Sequence, residues 1–376
     1  MRIGFVLPHG WSFSGWSIGE VLERYHFSKH LAALVARHGH DVVLFVCHEE
    51  LSEPRVLQEE PFRIEGFPIT CKVPGLKFGG DVSLPLLRRL RRFEGDILHI
   101  HGCFDEAVPL FLLVASAPIV LQWHGGRPLP LHRTICRATF SRARKVVIPF
   151  ERVPQSLRRL VPNSGKFEVV PLPLRPEAAA SRPRDRYADR PGSLLYVGRI
   201  PTPRRNIWER RPDLLIEILG QPELVGITLD IVGDGPGKTA CERIASQSGV
   251  LPRVSFHGFM ELPRVMKLYR QTDLTVVPFA ITDLTGTWVA QIQESLALGT
   301  PVIAFHPTGG FEEHEFGWRI SSNPRTAAAQ LRGILSRPDL LEAKGRRAAA
   351  VIRHACDEQR VSVSLETLYA TLADAG

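Results

Sequence analysis

The sequence predicts an α/β chain made of two doubly wound domains that face each other across a cleft. Two observations carry that fold class. Apolar, β-branched runs such as IGFVLP, DVVLFVC, DILHIHG, PIVLQWHGG and KVVIPF recur with helix-like segments between them, the pattern of parallel strands covered by crossover helices. The alternation stops at RPEAAASRPRDRYADRPGS, Arg175 to Ser193, which is rich in Pro, Ala and charge, and then restarts. The 376 residues therefore divide into two cores joined by a linker.

The first domain is read as residues 1–174. Met1 leads into RIGFVLP, too short for a signal-peptide core and read as the first strand. GWSFSGWSIGE, Gly10 to Glu20, follows as a long loop whose glycines let backbone crowd a ligand and whose Trp11 and Trp16 can stack on one. VLERYHFSKHLAALVARHGH has apolar residues at helical spacing and closes on Gly39. The longest apolar run, AVPLFLLVASAPIVL from Ala107 to Leu121, contains two prolines and is too short to span a membrane. After the linker, 175–193, a second βα array fills residues 194–355: SLLYVGR, RPDLLIEILG, ITLDIVGDGPG, RVSFHGF, RVMKLYRQ, DLTVVPF, VAQIQESLALG and TPVIAF. The final segment, 356–376, is a helix expected to pack back on the first domain.

A hydrophobic fraction of 44% and a charged fraction of 23% exclude a disordered chain. A net charge of +8 and a pI near 9.4 suit nucleic acid, an anionic membrane surface or phosphorylated small molecules. The run RRLRRFEGD, Arg88 to Asp96, is compatible with peripheral membrane contact or with a solvated helix face. The six cysteines form no C-x-x-C pair, so reduced, mostly buried thiols in a cytoplasmic protein are expected, with no structural zinc. The sequence carries no sign of the oligomeric state.

Ligands bind such architectures beyond the carboxyl ends of the strands. LDIVGDGPGK runs from an apolar strand into Gly233, Gly235 and Gly237. This is neither the dinucleotide fingerprint nor a Walker loop despite Lys238, and a structural turn explains it as well as a ligand site does. After LLYVG, Arg199 stands at a strand end, and Arg204, Arg205, Arg210 and Arg211 follow, a density of guanidinium suited to a diphosphate. For each later arginine alone, a solvated basic loop is the simpler reading. In TDLTGTWVAQIQESLALGTPVIAF a helix expected to start near Gly286 offers free amides to a phosphate. Glu294, two turns along, is either an acceptor for paired hydroxyls or a surface helix residue. His101 and His124 each follow a strand and are expected to enter the cleft.

Together these motifs resemble the retaining glycosyltransferases of family 4, which have the GT-B fold of two Rossmann-like domains. The resemblance is firm over about residues 194–305, through VGR with its arginines, LDIVGDGP, RVSFHGF, TDLTVVPF and QESLALGTPVIA, and looser through the first domain. It implies a nucleotide-sugar donor, UDP-sugar favoured, held by the C-terminal domain, and an unidentified hydroxyl acceptor held by the N-terminal one. Arg199 matches the arginine that binds the donor diphosphate. The usual lysine partner falls on Arg204 by simple spacing or on Arg210 by the match to the following helix, which is preferred. Phe259 and Met260 match backbone positions that meet the base, and Glu294 matches the glutamate that binds the ribose. His124 matches the histidine beside the transferred sugar, and Gly15 loosely matches the loop over the phosphates.

The departure is Gly286, which stands where the family has a glutamate touching the donor sugar. Asp283, or Thr285 and Thr287, are candidates to fill that space. The resemblance implies front-face substitution with no enzyme nucleophile, and with no D-x-D or comparable acid pair near the phosphate site no metal is expected. No cofactor is implied. No nucleic-acid partner is expected, since the arginines gather where a diphosphate would lie and no recognition motif is present. Two alternatives stand beside this reading. One is an epimerase or hydrolase of the same fold, for which Glu20, Asp105, Glu106 and Asp283 are the acid/base candidates. The other is a non-catalytic nucleotide-sugar-binding partner.

Overall fold

The computed structural model describes the chain except for residues 9–15, 25, 73–80, 106, 125–129, 150–152, 154, 185–191, 204–209, 281–289, 307–315 and 375–376. It divides into two compact units, Met1–Pro173 with Glu358–Gly376, and Leu174–Asp357.

Unit 1 is an eight-stranded sheet. Its strands are β1 (Arg2–Val6), β2 (Asp41–His48), β3 (Arg55–Gln58), β4 (Arg63–Pro68), β7 (Ile97–His101), β8 (Ile119–Gln122), β9 (Ala143–Ile148) and β10 (Phe167–Val169), with β5 (Cys71–Lys72) and β6 (Asp81–Val82) forming a separate ribbon. The order is β10-β9-β8-β7-β1-β2-β4-β3, parallel except where β3 runs antiparallel to β4. The chain reverses its direction of growth between β1 and β7, which makes the end of β7, at His101, the switch point of this sheet.

The pairing of β1 with β7 sets Phe5 opposite His99, and the period-two alternation puts His99 and His101 on one face. That face carries the helix Phe27–Arg37 and the carboxy-terminal helix Glu358–Asp374, whose Val361, Leu365, Leu368, Tyr369 and Leu372 join the unit 1 core. Each such side chain contributes about 1.5–3 kcal/mol by burial. Contacts of His30 Nε2 with Glu358 at 2.7 Å and of His40 Nε2 with Glu366 at 2.6 Å fix the register of this helix.

Unit 2 is a six-stranded, wholly parallel sheet of β11 (Ser193–Val197), β12 (Thr228–Val232), β13 (Val254–Gly258), β14 (Leu274–Ala280), β15 (Val302–His306) and β16 (Gly317–Arg319). The order β13-β12-β11-β14-β15-β16 puts its switch point between β11 and β14, so Gly198 and Arg199, just past β11, stand at it.

Four sequence expectations need amendment. The stretch read as one helix up to Gly39 is two, Ile18–Glu23 and Phe27–Arg37, because His26 adopts an extended backbone and caps the second by accepting from Ser28 N. The amino-terminal loop ends sooner than Glu20: Ser17 and Glu20 form a capping box, which makes Gly19 and Glu20 helical. The β3–β4 hairpin was not anticipated, since VLQEEPFRIEGFP breaks its apolar pattern with charge and proline, and edge strand β3 is largely exposed. The linker segment 175–193 contributes structure to unit 2 in its first ten residues. Pro176–Ala180 is helical with Ala178 buried, and the buried Arg184 pairs with Asp273 at 3.5 Å. Arg353 seals that helix end by donating to the carbonyls of Ala178, Ala179 and Ser181.

Candidate functional site

Among the described residues of unit 2, Arg210 and Gln291 flank the turn at Gly198, just past β11, that leads into Arg199. Gly198 has φ +150°, and a Cβ there would lie 2.8 Å from Arg210 Nη1, 2.9 Å from Gln291 Nε2 and 3.3 Å from the Tyr196 hydroxyl. The Arg210 guanidinium thus crowds the backbone that carries Arg199, whose own side chain is exposed. Tyr196 Oη donates to the Arg199 carbonyl and pins the turn. Arg211 is spoken for: its Nε donates to both carboxylate oxygens of Asp213, at 2.9 and 2.8 Å. Arg204 and Arg205 lie outside the described residues.

The glycine-rich turn after β12 has a packing role. A Cβ at Gly233 would fall 2.0 Å from the Gly198 oxygen, one at Gly235 2.3 Å from the Ile200 oxygen, and one at Gly237 1.9 Å from the Pro201 oxygen. Gly198 N donates to Val232 O, Ile200 N to Asp234 O, Gly237 N to Ile200 O and Gly233 N to Gly258 O. The ends of three neighbouring strands are therefore stitched backbone to backbone, and the glycines are required because no side chain fits between them. At Gly233, a candidate for ligand contact through its backbone, the space a side chain would take is filled by Gly198. Beyond β13, Phe259 is 78% exposed, while Met260 is partly buried against the apolar cluster that includes Val232 and Tyr269.

Glu294 lies on the helix Ala290–Ala297, one turn after Gln291, so both share a face. It is 4% exposed, which removes the surface-residue reading. Its Oε1 is 3.0 Å from Arg175 Nε and its Oε2 accepts from the Tyr269 hydroxyl at 3.4 Å. Burial lifts its pKa to about 7, against the pull of Arg175 and Tyr269 and with a further push from Glu177. Arg175 was missed as a functional candidate because it opens the segment read as linker. Gln291 was missed because nothing in VAQIQES sets one glutamine above the other. Asp283, Thr285, Gly286 and Thr287 lie outside the described residues, as does Gly15.

In unit 1, His101 and His124 are brought together: His101 Nδ1 lies 3.0 Å from His124 Nε2. His101 is buried and stacked, its ring centroid 4.9 Å from His99 and 5.6 Å from Phe5. Phe27 packs on His124 at 4.4 Å. Burial drives the His99 pKa to about 3, so that ring is neutral, and its Nδ1 bonds the Tyr369 hydroxyl at 2.6 Å. Trp16, a candidate stacking platform, carries the Arg24 guanidinium 5.1 Å from its ring.

The acid/base candidates of the alternative reading fare unevenly. Glu20 accepts from the Ser17 amide, and that hydrogen bond holds its carboxyl below the usual range. Asp105 is buried after β7, and Glu106 lies outside the described residues. No disulfide joins the cysteines, and burial pushes Cys47, Cys136, Cys241 and Cys356 up to about 12, so none of these four is a ready nucleophile. Among the described residues no helix is long and apolar enough to cross a membrane, and no cluster of His, Cys, Asp and Glu is arranged to hold a metal. A cavity of about 630 Å³, lined by Arg142, Arg144 and Lys166 among others, opens at the amino-terminal ends of β8–β10, at the sheet edge opposite His101 and His124.

Comparison with known proteins bears on the family and the fold. The family signature described as "Glycosyl transferases group 1" matches residues 191–337, and that described as "Glycosyl transferase 4-like domain" matches residues 26–173. The chain belongs to the group 1 glycosyl transferases. Among group 1 relatives, it is 26% identical over 258 residues to the alpha-D-kanosaminyltransferase of Streptomyces kanamyceticus, covering 59% of this chain and 62% of that protein. It is 25% identical over 249 residues to the 2-deoxystreptamine N-acetyl-D-glucosaminyltransferase of Streptomyces fradiae, covering 59% and 57%. These matches thus span about three fifths of each relative. HepE of Anabaena, solved in complex with UDP, superposes with a TM-score of 0.68 at 17% identity, over 99% of this chain and all of that one. The fold is GT-B.

Proposed function

We propose that this group 1 protein is a retaining glycosyltransferase that moves a sugar from a UDP-sugar to a hydroxyl acceptor without a metal. The observation that carries the reading is the convergence, beyond β11, of the Arg199 turn, the Arg210 guanidinium and the helix face bearing Gln291 and Glu294. The guanidiniums of Arg199 and Arg210 would supply the charge and the paired donors that a departing diphosphate needs, and match its growing charge as the glycosidic bond breaks. Ionised Glu294, steadied by Arg175, accepts from the ribose hydroxyls. Phe259 and Met260 border the base. His124 contacts the transferred sugar, and the leaving phosphate takes the acceptor proton, so no enzyme nucleophile is required. With Gly286 in place of an acid, Asp283 or the threonines Thr285 and Thr287 read the sugar, which points to a donor other than a common hexose.

Support for the UDP preference comes from HepE, which was solved with UDP. Support for an aminocyclitol or amino-sugar product comes from the printed names of the two Streptomyces relatives. The test is release of UDP from a panel of UDP-sugars, with GDP-sugars as controls, offered with aminocyclitol, polysaccharide and lipid-linked acceptors in the presence of EDTA. Acceptor-dependent UDP release with an axial anomeric linkage in the product is expected. Release without acceptor indicates a hydrolase, and binding without turnover across the panel indicates a non-catalytic partner.

A further inference from the structure

We propose that His101 is a positioning residue for His124: it holds the His124 ring in one orientation and couples the His124 tautomer to its own through the Nδ1 to Nε2 hydrogen bond. The proposal rests on the reading of His124 as the group that meets the transferred sugar.

The geometry leaves His101 little freedom. It is 1% exposed and lies nearly parallel to His99, at 9°, and to Phe5, at 19°. Phe27 meets it edge-on at 5.5 Å. His99 is itself held by Tyr369 from the carboxy-terminal helix. The backbone at both strand ends is fixed too, since Gly102 N donates to Gln122 O and Trp123 N to Val147 O. One nitrogen of a locked ring therefore presents a fixed point 3.0 Å from His124 Nε2, while Phe27 covers the His124 ring.

When both rings are neutral, the shared hydrogen bond contains one proton. If His101 donates it, the His124 proton sits on Nδ1, which is then a donor. If His124 donates from Nε2, its Nδ1 is an acceptor. Either way, the His124 tautomer changes together with that of His101, a residue that need not touch the sugar. The device resembles the second partner that orients a catalytic or metal-bound imidazole elsewhere.

The test compares His101→Leu, which removes the bond, with His101→Asn, whose amide places a polar atom near the former Nδ1. Both are made in the full chain and checked for folding by circular dichroism. Long-range proton–nitrogen spectra of imidazole-labelled protein report the His124 tautomer without any ligand. A His124 tautomer ratio shifted by about tenfold, the equivalent of one hydrogen bond, is expected in His101→Leu, and a smaller shift in His101→Asn. An unchanged His124 tautomer in a folded His101→Leu protein overturns the proposal. A second arm measures UDP-N-acetylglucosamine and UDP binding to His124→Leu. If both affinities stay unchanged while His101→Leu still shifts the tautomer, the sugar-contact role given to His124 fails and the positioning role stands.

Discussion

The two units reach their polar sites by opposite means. Unit 1 builds with neutral, stacked rings on strand residues: Phe5, His99 and His101 lie face to face, and burial keeps His99 unprotonated at about 3. Unit 2 builds with charge on loops, and gains its rigidity from glycine backbones pressed together at Gly198, Gly233, Gly235 and Gly237. Side-chain stacking fixes a proton's location, whereas backbone stitching fixes where guanidinium groups can stand. The same difference gives the two units opposite responses to pH and to substitution.

The largest expected effect comes from breaking the stitch. Gly233→Ala drives a methyl into the Gly198 carbonyl at positive φ, a cost of about 2–5 kcal/mol from overpacking and backbone strain. Urea unfolding of unit 2, followed by hydrogen exchange, should register it while unit 1 is unaffected. Next in size is Arg199→Ala, expected to lower turnover about 10²–10³-fold by removing one donor to the leaving group. Initial rates at saturating donor measure it, and an effect confined to KM counts against a role in the transition state.

The pH responses are smaller and differ in sign. The folded value of His99 lies below its ordinary 6.5, so the unfolded chain takes the proton first and unit 1 loses stability as pH falls below 6.5. Glu294 is raised from 4.5 to about 7, so the folded state keeps its proton longer and unit 2 loses stability as pH rises from 4.5 to 7. Between pH 4.5 and 6.5 the slopes oppose each other, each on the order of 2–3 kcal/mol across the interval. Hydrogen exchange resolved by unit checks this. His99→Asn and Glu294→Gln should each flatten the slope of their own unit, and parallel slopes in the unsubstituted protein would refute the contrast. The smallest effect is on donor binding: Glu294→Gln should weaken UDP about tenfold at pH 8 and less at pH 6, where the native carboxyl is already largely protonated.

Much of this was legible in sequence because strand-end residues announce themselves. HIHG and QWHGG end in histidines at a parallel-strand terminus, and the structure brings those two within 3.0 Å. VGR marks the switch point of unit 2 because a doubly wound sheet has few other places for a strand-end arginine. Of the two candidates for the diphosphate partner, Arg210 has its guanidinium beside Gly198, and Arg204 lies outside the described residues. Less legible were contacts made by residues far apart in the chain. Arg175 lies in a stretch with almost nothing to bury, yet it pairs with Glu294 because Leu174 N is tied to Cys356 O and Ala178 is buried beside it. Tyr369 looks like an ordinary apolar-face residue of the last helix, and only packing reveals its bond to His99. The glycines of VGDGPG were visible, but their partner was not, since it is backbone and carries no side-chain signature.

The central claim is that Arg199 and Arg210 together hold a nucleoside diphosphate in unit 2. Calorimetric titration of the full chain with UDP and with uridine, in EDTA, tests it most directly. UDP should bind one to one and far more tightly than uridine, and both Arg199→Ala and Arg210→Ala should bring UDP down toward the uridine level. UDP binding that survives both substitutions, or that requires a divalent metal, would contradict the account.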